Sequence, residues 1–147
     1  MKRCFLIGSR QAGEEVWPAL CQAVEEHVRA GLVGEFWVGQ YGGFDRMAAR
    51  ALRQAKQAHP ELRLYLLLAY YRPGKDQPLP EGFDGSIYPP GMERVLRRVA
   101  IPRANRYAVD QADCLIACVR DPTGNTRALA EYALARQKRG GLQVTLL

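Results

Sequence analysis

The stretch DCLIACVRDPTGNTRALAEYALA, from Asp113 to Ala135, predicts a strand, a turn and a helix in direct succession. A strand is predicted over its first seven residues, 113–119, because every residue after Asp113 in this stretch is apolar, as is typical of a buried strand. A helix is predicted from Arg127 to Lys138, and Gly140 and Gly141 just after it are typical of a helix end. The turn between them holds TGNT. Small polar residues suit a turn, but they also suit a phosphate site, because glycine allows close approach and a helix N-terminus supplies free N–H groups.

Strands and helices alternate in the rest of the chain as well. The other predicted elements are strands at Arg3–Gly8, Glu35–Gly39, Arg63–Tyr70 and Gln143–Leu147, and helices at Glu14–Arg29, Phe44–Ala58 and Arg103–Ala112. This alternation predicts an α/β fold with a parallel sheet and helices on both faces. Right-handed crossovers favour a Rossmann-like, doubly wound sheet of about five strands in the order 3-2-1-4-5.

One long segment, 71–92, interrupts the alternation and is rich in proline and glycine. We predict a loop insert there, and loops of this length in a compact domain are usually functional. Tyr88 lies within it, in SIYPPGME. Its ring is predicted either to stack on a base or to plug the loop against the core.

The size and charge of the chain restrict its class. At 147 residues it is predicted to be a single domain, 1–147. Its apolar runs are too short to cross a bilayer or to form a signal peptide, so we predict a cytoplasmic protein with no membrane partner. A net charge of +6 suits an anionic partner such as a nucleotide or nucleic acid. The alternative is an ordinary basic surface.

Several kinds of site are not supported by the sequence. The four cysteines form no CxxC pair and the two histidines are isolated, so we predict no metal, no disulfide and no cofactor. The GxGxxG and GxxxxGK[ST] patterns are absent, which argues against a standard NAD site and a P-loop. Two isolated histidines provide no basis for a Ser-His-Asp arrangement.

The residues that follow the predicted strands form the candidate site. In a doubly wound sheet, ligands bind beyond the carboxyl ends of the strands, where the strand order reverses. The candidates there are Gly8, Ser9, Arg10, Gly39, Gly42, Gly43, Phe44, Asp45, Arg46, Gly124, Asn125 and Thr126. A phosphate subsite is predicted from seven of them, namely Gly8, Ser9, Arg10, Gly43, Gly124, Asn125 and Thr126. The alternative is that Asn or Thr merely caps the first turn of a helix.

A further candidate is the most basic segment, which contains Arg94, Arg97, Arg98, Arg103 and Arg106. Asn105 and Arg106 lie in it just before the fourth predicted strand. The segment is either a solvated basic face or a site for a phosphate or a partner.

Together, CFLIGSR, FWVGQYGGFDRMAARAL, LLLAYYRPGKD, SIYPPGME, AIPRANRYAVDQADCLIACV and TGNTRALAEYA resemble the SLOG superfamily. That superfamily joins the Smf/DprA proteins and the LOG (lonely guy) proteins, and the likeness is to its small single-domain bacterial members. The resemblance implies a Rossmann-like fold, a nucleotide-derived ligand and a homodimer. The positions that match are Gly8, Arg10, Gly39, Phe44-Asp45-Arg46, Tyr88-Pro89, Asn105-Arg106, Asp113 and Gly124.

The sequence departs from the family pattern at three points. Ser9 stands where relatives often have histidine, and Gly124-Asn125 replaces a pair of glycines. The LOG enzymes carry PGGxGTxxE, whose glutamate assists phosphoribohydrolase chemistry. Here Leu129 lies three residues after Thr126, and Glu131 comes two residues later. The phosphate-binding half of the motif is therefore partly present, and its catalytic half is missing.

Three functions remain open at this point. The preferred one is binding or sensing of a nucleotide or nucleotide-derived small molecule, because it needs no catalytic acid. The second is a phosphoribohydrolase-like N-glycosidase acting on nucleoside monophosphates through Glu131 or Asp45. The third is single-stranded nucleic-acid binding, as in DprA-like proteins, which the basic composition also suits.

Overall fold

The computed structural model of the protein describes residues 1–31, 33–71, 78–121 and 123–147. It contains a six-stranded sheet in the order β4-β3-β2-β1-β5-β6, and every neighbouring pair is parallel. The strands are β1 (Lys2–Gly8), β2 (Val33–Val38), β3 (Arg63–Leu67), β4 (Gly85–Ile87), β5 (Cys114–Cys118) and β6 (Gln143–Leu146).

Four α-helices cover the sheet. They are α1 (Trp17–Arg29), α2 (Gly43–Ala58), α3 (Ala100–Gln111) and α4 (Asn125–Lys138). Short 3-10 turns at Glu14–Val16, Met92–Arg94 and Arg97–Val99 precede or link them. Buried residues of α1 and α2 form one core cluster with the sheet, and those of α3 and α4 form a second. The helices therefore lie on both faces.

The central strands are apolar at successive positions because both faces of the sheet are buried. In β1, Cys4 and Leu6 belong to the core cluster of α1 and α2, whereas Phe5 and Ile7 belong to that of α3 and α4. All five residues of β5 are buried as well. Alternate side chains of one strand thus enter two different cores, which explains the unbroken apolar runs.

The predicted parallel, doubly wound arrangement is confirmed, and the order 3-2-1-4-5 is correct for the five predicted strands. The sheet has a sixth strand, β4, inside the segment that we predicted to be an irregular insert. Residues 72–77 of that segment lie outside the described residues. β4 joins the edge of β3, where the Leu68 N–H donates to the Ile87 oxygen (2.8 Å) and the Asp84 N–H to the Leu64 oxygen (2.8 Å). Three residues, Gly-Ser-Ile, show no strand periodicity, so tertiary pairing determines this strand.

All four α-helices begin one to three residues away from their predicted starts, and two of these differences have a visible cause. The helix predicted from Arg103 begins at Ala100, and its first turn accommodates Pro102, which lacks an N–H. The helix predicted from Glu14 starts as a 3-10 turn and becomes α-helical at Trp17. Among the described residues, no helix combines the length and the apolarity that a membrane crossing requires.

Candidate anion-binding site at the carboxyl edge

The carboxyl ends of the strands meet at one edge of the sheet, which we call the carboxyl edge (residues 8–10, 39–42, 68–71, 88–91, 118–121 and 123–124). The turns after β1 and β5 are joined there by hydrogen bonds. The Ser9 N–H donates to the Cys118 oxygen (3.0 Å), and the Ser9 hydroxyl oxygen accepts the Arg120 N–H (3.0 Å). Ser9 is only 1% exposed. Its hydroxyl thus connects two turns inside the protein.

The turn after β1 packs closely against the start of α2. The Gly43 N–H donates to the Arg10 oxygen (2.9 Å), and a Cβ on Gly43 would lie 2.7 Å from that oxygen. A Cβ on Gly8 would lie 2.2 Å from Cγ of Phe44, whose side chain is fully buried. Close packing therefore requires glycine at both positions. The ring of Phe44 supports the turn from below and is not at the surface.

Two helices begin at the carboxyl edge with glycine as the N-cap residue. The N-cap of α2 is Gly42 (φ 150°, ψ −178°), and that of α4 is Gly124 (φ 107°, ψ −177°). Essentially only glycine adopts this backbone region. Neither helix has a side-chain cap hydrogen bond, so neither Asn125 nor Thr126 caps α4. The first N–H groups of a helix lack intrahelical acceptors and mark its positive dipole end.

Arginine side chains add positive charge beside these helix ends. The aliphatic part of Arg10 lies over Gly42, where a Cβ would be 2.7 Å from Cγ of Arg10. Arg10 and Arg46 are both exposed. The arginine ion pairs found among the described residues involve others, namely Arg3, Arg29, Arg50, Arg63, Arg94 and Arg136. A cation beside a helix N-terminus is unfavourable without an anion, so this edge is suited to bind one.

Asp45 is the carboxylate that lies in the first turn of α2. Its Oδ2 accepts the Tyr41 N–H (2.9 Å), and Gly39 leaves room for it, because a Cβ on Gly39 would lie 2.9 Å from Oδ2. Burial raises the pKa of Asp45 to about 6, although the Tyr41 hydrogen bond and the charges of Arg10 and Arg46 act to lower it. Asp45 can therefore gain or lose a proton near neutral pH, next to the helix end.

Glu131, the other candidate acid, lies elsewhere. It is exposed on α4, seven residues after the N-cap Gly124. At 1.5 Å per residue, this places it about 10 Å along the helix from the carboxyl edge. The structure thus brings Asp45 to the glycine turns and leaves Glu131 away from them.

Asn105 and Arg106 meet the α4 turn in a small cleft between α3 and α4. The cleft has a volume of about 150 Å³ and is lined by Pro102, Asn105, Arg106, Asn125, Ala128, Leu129 and Tyr132. The guanidinium of Arg106 lies 3.6 Å from the centroid of the Tyr132 ring. Helix packing thus brings Asn105 and Asn125 together, although no spacing in the sequence links them.

Other residues of the carboxyl edge escaped the sequence analysis. Arg120 follows β5, and Tyr41, Tyr70 and Tyr71 follow β2 and β3. Tyr88 was a candidate, and it lies 5.6 Å from Tyr71 between ring centroids. Tyr41 and Tyr71 could have been found by their position just after predicted strands, which is the same signal that identified the glycines, whereas Tyr70 was predicted to be the last residue of its strand.

The basic segment follows β4 and leads into α3. It contains a groove of about 450 Å³ lined by Gly91, Arg94, Val95, Leu96, Val99 and Arg103. Asp113, a position that matches the SLOG pattern, lies at the amino ends of the strands, opposite the carboxyl edge. Its carboxylate accepts the Arg3 N–H (2.9 Å) at the start of β5. Asp113 therefore joins β5 to β1, away from the candidate site.

The cysteines are small core residues in three of four cases. Cys4, Cys114 and Cys118 are buried, and burial raises the pKa of each of these thiols. Cys21 is half-buried on α1. In the described part of the chain, no group of three His, Cys, Asp or Glu residues is arranged to hold a metal ion.

Comparison with known proteins gives structural matches alone. No model of a protein family matches the chain, and a search of curated proteins finds no match. The structure of DNA processing protein A (DprA) from Streptococcus pneumoniae has a TM-score of 0.62 at 12% identity, over 99% of this chain and 58% of that one. The chain has a DprA-like, Rossmann-like fold.

A second DprA, from Helicobacter pylori, has a TM-score of 0.55 at 13% identity, over 97% of this chain and 74% of that one. Its structure is described as showing a single-stranded DNA binding mode. At such low identities the likeness establishes a common fold, and this chain spans just over half the length of the Streptococcus protein.

Proposed function

We propose that the chain binds the phosphate of a nucleotide or nucleotide-derived small molecule at its carboxyl edge, as a cytoplasmic binding or sensing domain. One observation supports this most strongly. Two helices, α2 and α4, begin at this edge with glycine N-caps that have no side-chain cap hydrogen bond. Backbone N–H groups, a positive dipole end and the exposed Arg10 then provide what a phosphate group needs.

Catalysis has weaker support. An N-glycosidase needs a carboxyl group close to the bond that breaks. Of the two candidates, Glu131 lies about 10 Å along α4 from its N-cap. Asp45 is near the helix ends, but its Oδ2 already accepts the Tyr41 N–H. Binding a phosphate at the helix ends does not require Asp45 to leave its hydrogen bond with the Tyr41 N–H, whereas catalysis by Asp45 would.

Single-stranded nucleic acid is the second candidate ligand. Arginines of the segment after β4 extend the positive charge of the carboxyl edge towards α3, and Arg97 and Arg98 are both exposed. The fold is shared with a DprA whose structure is described by its single-stranded DNA binding mode. An oligonucleotide is a polymer of the same phosphate-bearing unit, so it could use the same phosphate site.

A binding experiment tests the proposal. Nucleotides are first screened by thermal shift, because a ligand specific for the folded state raises its stability. Titration calorimetry then compares the parent with Arg10→Ala and Gly124→Ala. A charge-assisted contact contributes about 1.5–3 kcal/mol, so Arg10→Ala should weaken binding by about ten- to a hundredfold.

Matched controls are available at the opposite end of α4. Arg139→Ala removes the same charge from an exposed position, and Gly140→Ala places alanine at another positive φ (82°). Both should bind as the parent does. If Arg10→Ala and Gly124→Ala also bind as tightly as the parent, the phosphate site is not at this edge.

Salt dependence separates the two ligand classes. An oligonucleotide held by several arginines should lose affinity steeply with added salt, with a slope near −0.7 per neutralised phosphate of a single strand. A mononucleotide with one phosphate in the site should show a shallow slope. A steep slope for oligonucleotides, with no measurable mononucleotide binding, would favour the second candidate.

The predicted homodimer is also a proposal. It rests on the SLOG resemblance, and analytical ultracentrifugation tests it. Sedimentation of a single 16.5 kDa species at micromolar concentration would contradict it.

A further inference from the structure

We propose that Tyr71, supported by Tyr88, forms a shelf at the carboxyl edge on which a nucleobase stacks. This inference rests on the proposed function, because it assigns the base of the ligand whose phosphate is bound near Arg10. The ligand class is a nucleotide unit with an accessible base, either free or within a single strand. The two tyrosines are brought together by the pairing of β3 with β4.

Four tyrosines follow three adjacent strands at this edge. Tyr41 comes after β2, Tyr70 and Tyr71 come after β3, and Tyr88 directly follows β4. Since β2, β3 and β4 are neighbours in the sheet, their carboxyl ends place these rings side by side. The centroids of Tyr41 and Tyr70 are 5.8 Å apart, and the two rings meet edge to face.

Three of the four tyrosines have structural partners. The Tyr41 hydroxyl accepts the Ala69 N–H (3.0 Å), and the Tyr70 hydroxyl donates to the Arg97 oxygen (3.1 Å). The Arg97 guanidinium also lies 4.5 Å from the centroid of the Tyr70 ring. Together with Tyr88, Tyr41 and Tyr70 pack against the core cluster of α3 and α4. Packing therefore explains the presence of these three tyrosines, and no ligand contact is needed to explain it.

Tyr71 differs from these three. It is 49% exposed, and its ring centroid lies 5.6 Å from that of Tyr88 at an interplanar angle of 40°. Tyr88 is followed by the buried Pro89, which restricts the backbone of Tyr88. An exposed aromatic ring held by a second ring loses little conformational freedom on binding. It therefore provides a platform for any base, since every base has a flat π face.

The spacing of the strands gives the distance that a ligand must span to reach both the shelf and Arg10. Neighbouring strands lie about 4.8 Å apart, so the ends of β3 and β4 are about 10 and 14 Å from the end of β1. A base on the shelf and a phosphate near Arg10 must therefore belong to an extended ligand. A dinucleotide or a single strand meets this requirement more easily than a folded mononucleotide.

The test compares ligands that differ only in their bases. Eight-residue oligothymidylate and an abasic strand of the same length carry the same phosphates. The parent should bind the base-bearing strand more tightly, and Tyr71→Ala should remove this preference while leaving the abasic affinity unchanged. Stacking of one base is worth about 1–3 kcal/mol by alanine substitution, so the loss should be about 5- to 150-fold.

Tyr71→Phe is the matched control, because it keeps the ring and removes the hydroxyl. It should retain the preference for bases. The same comparison with thymidine monophosphate and a thymidine dinucleotide shows whether a free nucleotide is sufficient. A thermal midpoint close to that of the parent confirms that each variant is folded.

The outcomes separate this inference from the proposed function. If Tyr71→Ala leaves the preference for bases intact, or weakens both strands equally, the shelf is wrong. The phosphate site still stands in that case, provided that Arg10→Ala weakens both strands. If Arg10→Ala and Gly124→Ala weaken neither strand, the proposed function itself fails.

Discussion

The turns that start α2 and α4 look alike in sequence, but the surroundings of their N-cap glycines differ. Gly42 and Gly124 are both N-caps with backbone angles that essentially only glycine adopts. Around Gly42 the protein is packed, since a Cβ there would lie 2.9 Å from Cα of Arg10. Around Gly124, no atom of the described residues beyond its immediate chain neighbours lies within 4 Å of such a Cβ.

This difference shows which helix end is more open to a ligand. At α2, the Gly43 N–H already donates to the Arg10 oxygen, so packing uses part of the helix end. At α4, Gly124 and Asn125 are exposed, and Asn125 faces the cleft that also holds Asn105. We infer that the packed turn fixes the position of Arg10, whereas the open turn offers its backbone N–H groups to the anion.

The largest expected effect tests this comparison directly. Gly42→Ala and Gly124→Ala introduce similar backbone strain, of order 1–3 kcal/mol. Gly42→Ala also forces a methyl group against the backbone of Arg10, which should cost about 1–3 kcal/mol more. Urea denaturation should therefore show the lower unfolding free energy for Gly42→Ala. Equal losses, or a larger loss at Gly124, would mean that the two turns do not differ in packing.

Much of the fold was predictable because its signals are local. Buried parallel strands are apolar throughout, and glycines mark where strands end and helices begin. The parallel topology then requires Gly8, Gly42 and Gly124 to share one edge. Strand β4 was missed because its three residues depend on hydrogen bonds with β3 and show no periodicity of their own.

The side chains of the site were less predictable, because exposure is a tertiary property. Phe44 follows a glycine turn in the sequence, but it is buried beneath Gly8. Tyr71 is the first residue of the predicted loop insert, and nothing in the sequence marks it as exposed beside Tyr88. Which candidates face a ligand depends on how α2 and β4 pack, and no spacing rule contains that information.

The second prediction concerns the charge beside the packed turn. The pKa of Asp45 is about 6 in the folded protein, against an ordinary value of 3.8. Between these values the folded state holds a proton that the unfolded state has lost, so stability falls as pH rises from about 4 to 6. The penalty is then complete at neutral pH, and it corresponds to about 1–3 kcal/mol.

Asp45→Asn should remove this penalty while keeping an oxygen that accepts the Tyr41 N–H. Its unfolding free energy should exceed that of the parent by about 1–3 kcal/mol at pH 8 and match it near pH 4. It should also bind a phosphate-bearing ligand more tightly at pH 8, because a negative charge beside the anion is gone. An advantage of the same size at both pH values would show that Asp45 does not titrate in this window.

The smallest expected effect concerns Ser9, which the sequence placed in the phosphate subsite. Its hydroxyl oxygen accepts the Arg120 N–H, and its side chain is buried. Ser9→Ala should therefore lower the unfolding free energy by about 1 kcal/mol, the usual worth of one hydrogen bond. It should change nucleotide affinity by less than about twofold, since no ligand contact is lost.

The exposed Ser86 on β4 provides a matched control, because Ser86→Ala removes a hydroxyl without a buried partner. Its stability and its affinity should equal those of the parent. The pair of measurements separates two roles for Ser9. A stability loss with unchanged affinity means that Ser9 joins the turns after β1 and β5 and does not contact the ligand. A tenfold loss of affinity with unchanged stability would instead mean that Ser9 turns outward to the phosphate, and that the turn after β1 is as open as the one that begins α4.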